Sequence, residues 1–169
     1  MKKRIEERDC DGVSTRYRKD GSIMWKGSYK KGLLHGESVG YYKNGAISTK
    51  CTFVDGMRHG KAECFDKKGI LAHKLFFEKG KLHGIQTFYY STGAKRLEIP
   101  YDHGVFEGTI LLFYPHGGLK REVKIEKGKR HGFDQFYSSL GEVVFALEYA
   151  CGAILNVKIE DPVAKAYKL

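Results

Sequence analysis

The chain has 169 residues, 41% of them hydrophobic and 30% charged, which is the length of one domain. Its 30 Lys plus Arg against 20 Asp plus Glu give a net charge of +10, and no apolar run approaches the roughly 18 residues of a membrane-spanning helix. The opening "MKKRIEERDCDG" has no apolar stretch behind it, so no secretory leader is expected and cytoplasmic residence is.

Past that charged head the glycines keep a fixed beat. Gly32, Gly56, Gly80, Gly104, Gly128 and Gly152 are each 24 residues apart. Gly12, Gly36, Gly60, Gly84, Gly108 and Gly132 form a second series, and Gly21, Gly45, Gly69, Gly93, Gly117 and Gly141 a third. Together they hold 18 of the 21 glycines. Aromatic residues follow the same period: Tyr17, Tyr41, Phe65, Tyr89, Phe113 and Tyr137 in one column, Tyr29, Phe53, Phe77, Tyr101, Ile125 and Tyr149 in another. A histidine column is looser, with His35, His59, His83 and His131 alternating with Asp11 and Glu107. The organisation expected is a charged cap over 1–9, about five and a half units over 10–155, and a C-terminal cap over 156–169.

In chain order each unit predicts two short strands with a glycine turn between them. Gly84 to Tyr90 is one such run and Ala94 to Tyr101 the next; in the second, Leu97, Ile99 and Tyr101 alternate with Arg96, Glu98 and Pro100. "KNG" and "YSTG" supply glycine where a hairpin turn needs a positive φ, and "VDG", "DHG" and "EKG" do so between units. Helix is disfavoured, because three glycines per unit would each cost about 1 kcal/mol in a helix interior. Only Asp161 to Leu169, with Pro162 in a first turn, reads as a short helical cap. A 24-residue unit is too small to bury a core alone, so neighbours must complete one another. The fold class expected is all-β: an elongated single-layer antiparallel sheet of stacked β-hairpin repeats, advancing about 10 Å per unit.

The residues offer several candidate sites. Members of the histidine column would lie about 10 Å apart, whereas zinc ligands all lie about 2 Å from the ion. The column therefore predicts a turn-side hydrogen-bonding role, which Asp11 and Glu107 could fill equally, and no metal site. Tyr41, Phe65, Tyr89, Phe113 and Tyr137 are expected in the core. Tyr42, Tyr90 and Tyr114 follow core aromatics directly and so should face the other way; with Trp25 and Phe76 they are candidates for binding a partner. A basic excess in the front half includes Lys2, Lys3, Arg4, Arg16, Arg18, Lys19, Lys30 and Lys31, a candidate surface for anionic partners. Cys10, Cys51, Cys64 and Cys151 fall in different phases without CxxC spacing, so free thiols are expected. No Ser/His/Asp arrangement and no phosphate-cradling glycine loop stands out from the repeat, and neither enzymatic activity nor a cofactor is expected.

The step Gly-x-x-His-Gly, an aromatic five residues on, then Asn-Gly and a second aromatic, resembles the MORN repeat. "GKLHGIQTFYYSTGAKRLEIPYDHG" is most similar to its bacterial-type variant. The resemblance implies stacked β-hairpins without enzymatic activity. It also implies a range of roles: protein scaffolding, contact with membranes or phosphoinositides, and neutralisation of a toxin in bacteria; other members occur in protists and large DNA viruses. The function expected is a non-catalytic module or scaffold that recognises a protein partner through one face of the sheet. Peripheral attachment to anionic lipid, an antitoxin-like role and a place in a viral particle are the alternatives, and nucleic acid is a disfavoured partner.

Overall fold

A computed structural model describes residues 11–159. Lys2, Lys3, Arg4, Cys10 and the helical cap expected over Asp161 to Leu169 lie outside the described residues. Among those described there are fifteen strands and no helix, and the chain divides into two compact units, residues 1–81 and 82–169. The N-terminal unit holds β1 (Gly12–Tyr17), β2 (Ile23–Lys30), β3 (Leu33–Tyr41), β4 (Ile47–Val54), β5 (Met57–Phe65) and β6 (Leu71–Glu78). Each pairs antiparallel with the next. After β7 (Lys81–Leu82), the C-terminal unit holds β8 (Gly84–Tyr89), β9 (Lys95–Asp102), β10 (Val105–Phe106), β11 (Gly108–Phe113), β12 (Leu119–Glu126), β13 (Lys129–Tyr137), β14 (Val143–Ala150) and β15 (Ala153–Ile159). Its antiparallel order is β8-β9-β11-β12-β13-β14-β15, with β10 also on β9. The fold class is therefore all-β, built of stacked antiparallel hairpins. Residues 156–159, expected in a cap, instead continue β15 against β14.

All eighteen glycines of the three series have positive φ, and the three outside them do not. Two turns explain most of this. Between β2 and β3 the pair Lys30 and Leu33 closes a two-residue loop, Lys31-Gly32, with φ of 50° and 73°. Positive φ at both positions is the type I′ turn, whose twist matches that of the strands it joins. Asp55, Lys79, His103, Lys127 and Cys151 hold the same first position at φ 46° to 50°. The other turn joins β3 to β4: Gly45 donates to the Tyr42 carbonyl at 3.1 Å and Tyr42 N–H donates to the Ala46 carbonyl at 2.8 Å. That is a three-residue loop with glycine in the left-handed position.

The Gly-x-x-His-Gly step stitches each hairpin to the one before it. Opposite Ser28 on β2, strand β3 fits three residues, His35, Gly36 and Glu37, because Tyr29 pairs with Leu34 and Gly27 with Ser38. This three-residue bulge turns the Leu34 carbonyl and the His35 side chain toward the next I′ turn. The Leu34 carbonyl accepts the Gly56 N–H at 2.8 Å. His35 Nδ1 lies 3.5 Å from the Asp55 N–H. Where the column carries an acid the bond is shorter: Asp11 accepts the Lys31 N–H at 2.5 Å and Glu107 the Lys127 N–H at 2.7 Å. In the Asp55-Gly56 and Lys127-Gly128 turns both N–H groups, which no ladder partner reaches, are thus met by the preceding hairpin.

A single sheet layer has water on both sides and encloses little. Among the described residues only Val39, Ala62, Val123, Ala146 and Tyr149 are buried hydrophobics. Tyr41, Phe65, Tyr89, Phe113 and Tyr137, expected as core, are half-buried.

Candidate functional site

Register assigns the side chains of the N-terminal unit to two faces. Arg16, Trp25, Gly40, Thr49, Cys64 and His73 stand directly opposite one another from β1 to β6, and beside them runs the row Ser14, Gly27, Ser38, Cys51, Ala62 and Leu75. Most of these are small, so the face is a trough. Trp25 lies down in it. A Cβ on Gly27 would sit 2.1 Å from the indole ring, so only glycine leaves room there. The indole N–H donates to the Ser38 hydroxyl at 2.6 Å, the Arg16 guanidinium stands 5.3 Å over the ring, and Tyr29 meets it edge-on at 6.3 Å. Together with Met24, Leu34 and Phe53 these groups line an open concavity of about 450 Å³. Cys51 and Cys64 on the trough floor are free thiols, and burial pushes both above the ordinary thiol range.

The C-terminal unit fills the same repeat phases with bulk. Phe88, Leu97, Leu112, Arg121, Phe136 and Phe145 replace the first row, and Ile99, Ile110, Val123, Asp134 and Leu147 most of the second. Asp134 is 0% exposed. Both of its carboxylate oxygens accept from Arg121 at 2.7 Å, and Arg130 lies 3.5 Å away. That bidentate bond raises the Arg121 pKa, while the guanidinium covers the Phe136 ring at 4.4 Å.

The reverse faces differ in charge. In the N-terminal unit a row across the strands reads Thr15, Lys26, Val39, Lys50, Glu63, Lys74. Its three lysines occupy alternate strands, about 10 Å apart. The equivalent phases of the C-terminal unit are Glu98, Glu122 and Ala146.

The sequence-derived candidates scatter over this framework. Tyr42, Tyr90 and Tyr114 are not an exposed row. Each is half-buried in a turn, and each phenol donates to the carbonyl 23 residues on: Tyr42 to Phe65 at 2.7 Å, Tyr90 to Phe113 at 2.8 Å, Tyr114 to Tyr137 at 2.8 Å. The strand alternation that would send them to the opposite face stops at the residue before. Trp25 does lie on a candidate surface. Phe76 is half-buried on the lysine-bearing face with Lys74 5.4 Å over its ring.

The basic residues do not form one patch. Arg18 occupies the phase of Tyr42 and donates to the carbonyls of Ile23 and Tyr41. Lys19 is in the β1–β2 turn, whereas Lys30 and Lys31 sit at the far end of β2, roughly 25 Å away along eight residues of strand. Sequence reasoning missed the lysine row, although 24-residue spacing marks Lys26, Lys50 and Lys74. It also missed His103, which lies outside the histidine column: its ring is 4.6 Å from that of His83.

Comparison with known families agrees with this geometry. The family described as MORN repeat variant matches residues 34–55 and 82–103. Two segments of the chain thus match the MORN repeat variant. The two matched segments begin 48 residues apart, twice the 24-residue period, and each starts at the bulge of one unit and ends in its I′ turn. MORN repeats are commonly binding or scaffold modules and are not a known enzyme family. No curated protein matches the chain.

Proposed function

We propose that this MORN-repeat protein is a non-catalytic binding module that recognises a protein partner through the trough of its N-terminal unit. The observation that carries this reading is the Trp25 site. A large aromatic ring is held flat by Ser38 and Gly27 beside an open apolar concavity, with the Arg16 cation at its rim. A pre-ordered aromatic anchor loses little freedom on binding, and Trp and Arg are the residues that dominate such contacts. The matching phases of the C-terminal unit hold bulky side chains and leave no such trough, which favours the first unit for recognition.

The test is retention of a partner from source lysate by the wild-type chain and by Trp25→Leu. Leu97 occupies the Trp25 phase in the other unit, so the substitution suits the backbone. A protein held through high salt by the wild type and lost with Trp25→Leu supports the reading. Retention by both variants overturns the site.

The lysine row favours a second reading, attachment of the opposite face to an anionic lipid surface. It expects co-sedimentation with phosphatidylserine vesicles that weakens steeply with salt and is lost in the triple variant Lys26→Glu, Lys50→Glu, Lys74→Glu. Vesicle binding unmoved by salt or by those changes would sink it.

A further inference from the structure

We infer that the turn between β9 and β10 carries a site for a borderline divalent transition metal, with zinc as the type, built from His83, Asp102 and His103. This goes beyond the binding reading and does not depend on it. His83 stands in the bulge before β8, Asp102 ends β9, and His103 is the first residue of the I′ loop at φ 46°. Both imidazoles turn their Nδ1 atoms on one carboxylate oxygen: His83 Nδ1 is 3.3 Å and His103 Nδ1 2.5 Å from Asp102 Oδ1. The rings lie 4.6 Å apart, tilted by 53°.

Two imidazoles and a carboxylate suit zinc and its neighbours. Ligands on a tetrahedral zinc, each about 2 Å from the ion, are about 3.3 Å from one another. The His83 to Asp102 separation already has that value. The His103 to Asp102 contact is a hydrogen-bond distance, and the Asp102 side chain, 62% exposed, is free to open it. On binding, the ion takes the Nδ1 lone pair of each ring, whose single proton then resides on Nε2, and water completes the shell.

The separation between repeat-equivalent histidines does not limit this site, because His103 belongs to the turn and not to the column. At the other five turns the same position is Lys31, Asp55, Lys79, Lys127 or Cys151, so the column and the turn both supply an imidazole only here.

That pattern also supplies the control. His103→Lys places at φ 46° a residue that Lys31, Lys79 and Lys127 already hold at 46° to 50°. The experiment titrates zinc chloride into the tag-free full chain at pH 7.5 and follows histidine ring nitrogens by long-range ¹H–¹⁵N correlation, with calorimetry for stoichiometry. Expected are one saturable site in the micromolar range, first shifts at His83 and His103, at least tenfold weaker binding in His103→Lys, and no change in His35→Glu. Absence of saturable binding, zinc held only by thiols or other histidines, or an unchanged affinity in His103→Lys would overturn the site.

Discussion

The two units carry the same turns and differ on both sheet faces. In each, glycines of the I′ turns, the bulges and the three-residue loops hold one backbone, and every I′ turn after the first donates its glycine N–H back to the preceding hairpin. On that shared frame the N-terminal unit presents Gly27, Ser38, Gly40 and Ala62 where the C-terminal unit presents Ile99, Ile110, Leu112 and Asp134. Lys26 and Lys50 similarly face Glu98 and Glu122 as counterparts. The scaffold is set by backbone conformation and hydrogen bonds, so the face positions are free to specialise. One unit presents an open trough on one face and a row of lysines on the other. The other fills its face with bulky side chains and the buried Arg121–Asp134 pair.

If so, substitutions at face positions should cost unequally in the two units and substitutions in the frame equally. The largest inequality is expected at the phase shared by Asp134 and Ser38. Asp134→Ala strips the bidentate partner from Arg121 and should destabilise by about 3 kcal/mol, the lower range for breaking a buried pair, since Arg121 is partly exposed. Ser38→Ala removes one neutral hydrogen bond to Trp25 and should cost about 1 kcal/mol. Urea denaturation of both variants measures the difference, and equal costs would break the contrast.

The frame should show no such asymmetry. Gly32→Ala and Gly128→Ala each force a Cβ into the left-handed region, at φ 73° and 76°, and each should cost about 1 to 2 kcal/mol. Tyr42→Phe and Tyr114→Phe each delete one phenol-to-carbonyl bond and should cost about 1 kcal/mol. A twofold difference within either pair would show that the frame itself differs between units.

Thiol chemistry sharpens the same comparison. Burial raises the pKa of Cys51 and Cys64, so at pH 8 a smaller fraction of each is thiolate, and thiolate is the reacting form. Exposed Cys151 should be alkylated before Cys51 and Cys64, which gain reactivity as pH rises or as urea unfolds the sheet. Mass mapping of alkylated peptides follows the order, and faster labelling of Cys51 than of Cys151 would contradict a closed trough floor.

The fold was legible because glycine at positive φ leaves a compositional trace: spacing alone located every turn, and the runs Gly84 to Tyr90 and Ala94 to Tyr101 differ from β8 and β9 by a residue at the ends. The site was less so. Tyr42 was misplaced because alternation was carried one residue past β3, into a turn where it does not hold. The trough was hidden because it consists of absent side chains, and Gly27 reads as noise until the indole is seen lying over it. The lysine row was visible by phase, but a total charge count averages Lys26 and Lys50 with Lys19 and Lys31, which sit in the turns. His103 escaped because a column argument compares each histidine with its equivalents, and its neighbour belongs to a different phase.

The most local effect is expected at Gly27. Its φ is an ordinary one, so alanine there meets no backbone penalty, and the obstacle is the Trp25 ring 2.1 Å from the new Cβ. A rigid indole cannot bend away by a fraction of its length; it must rotate off the floor, breaking its bond to Ser38 and leaving Arg16. Trp25 is half-buried, so the cost should be about 1 kcal/mol, set chiefly by the one hydrogen bond. The optical effect should be larger than the energetic one. Trp25 is the only tryptophan in the chain, so Gly27→Ala should shift the whole intrinsic emission to the red and increase its quenching by acrylamide. Asp134→Ala, in the other unit, should leave the native emission unchanged. A red shift with full retention of the partner would separate the trough from recognition, whereas a red shift with loss of the partner would tie binding to the flat-lying indole itself.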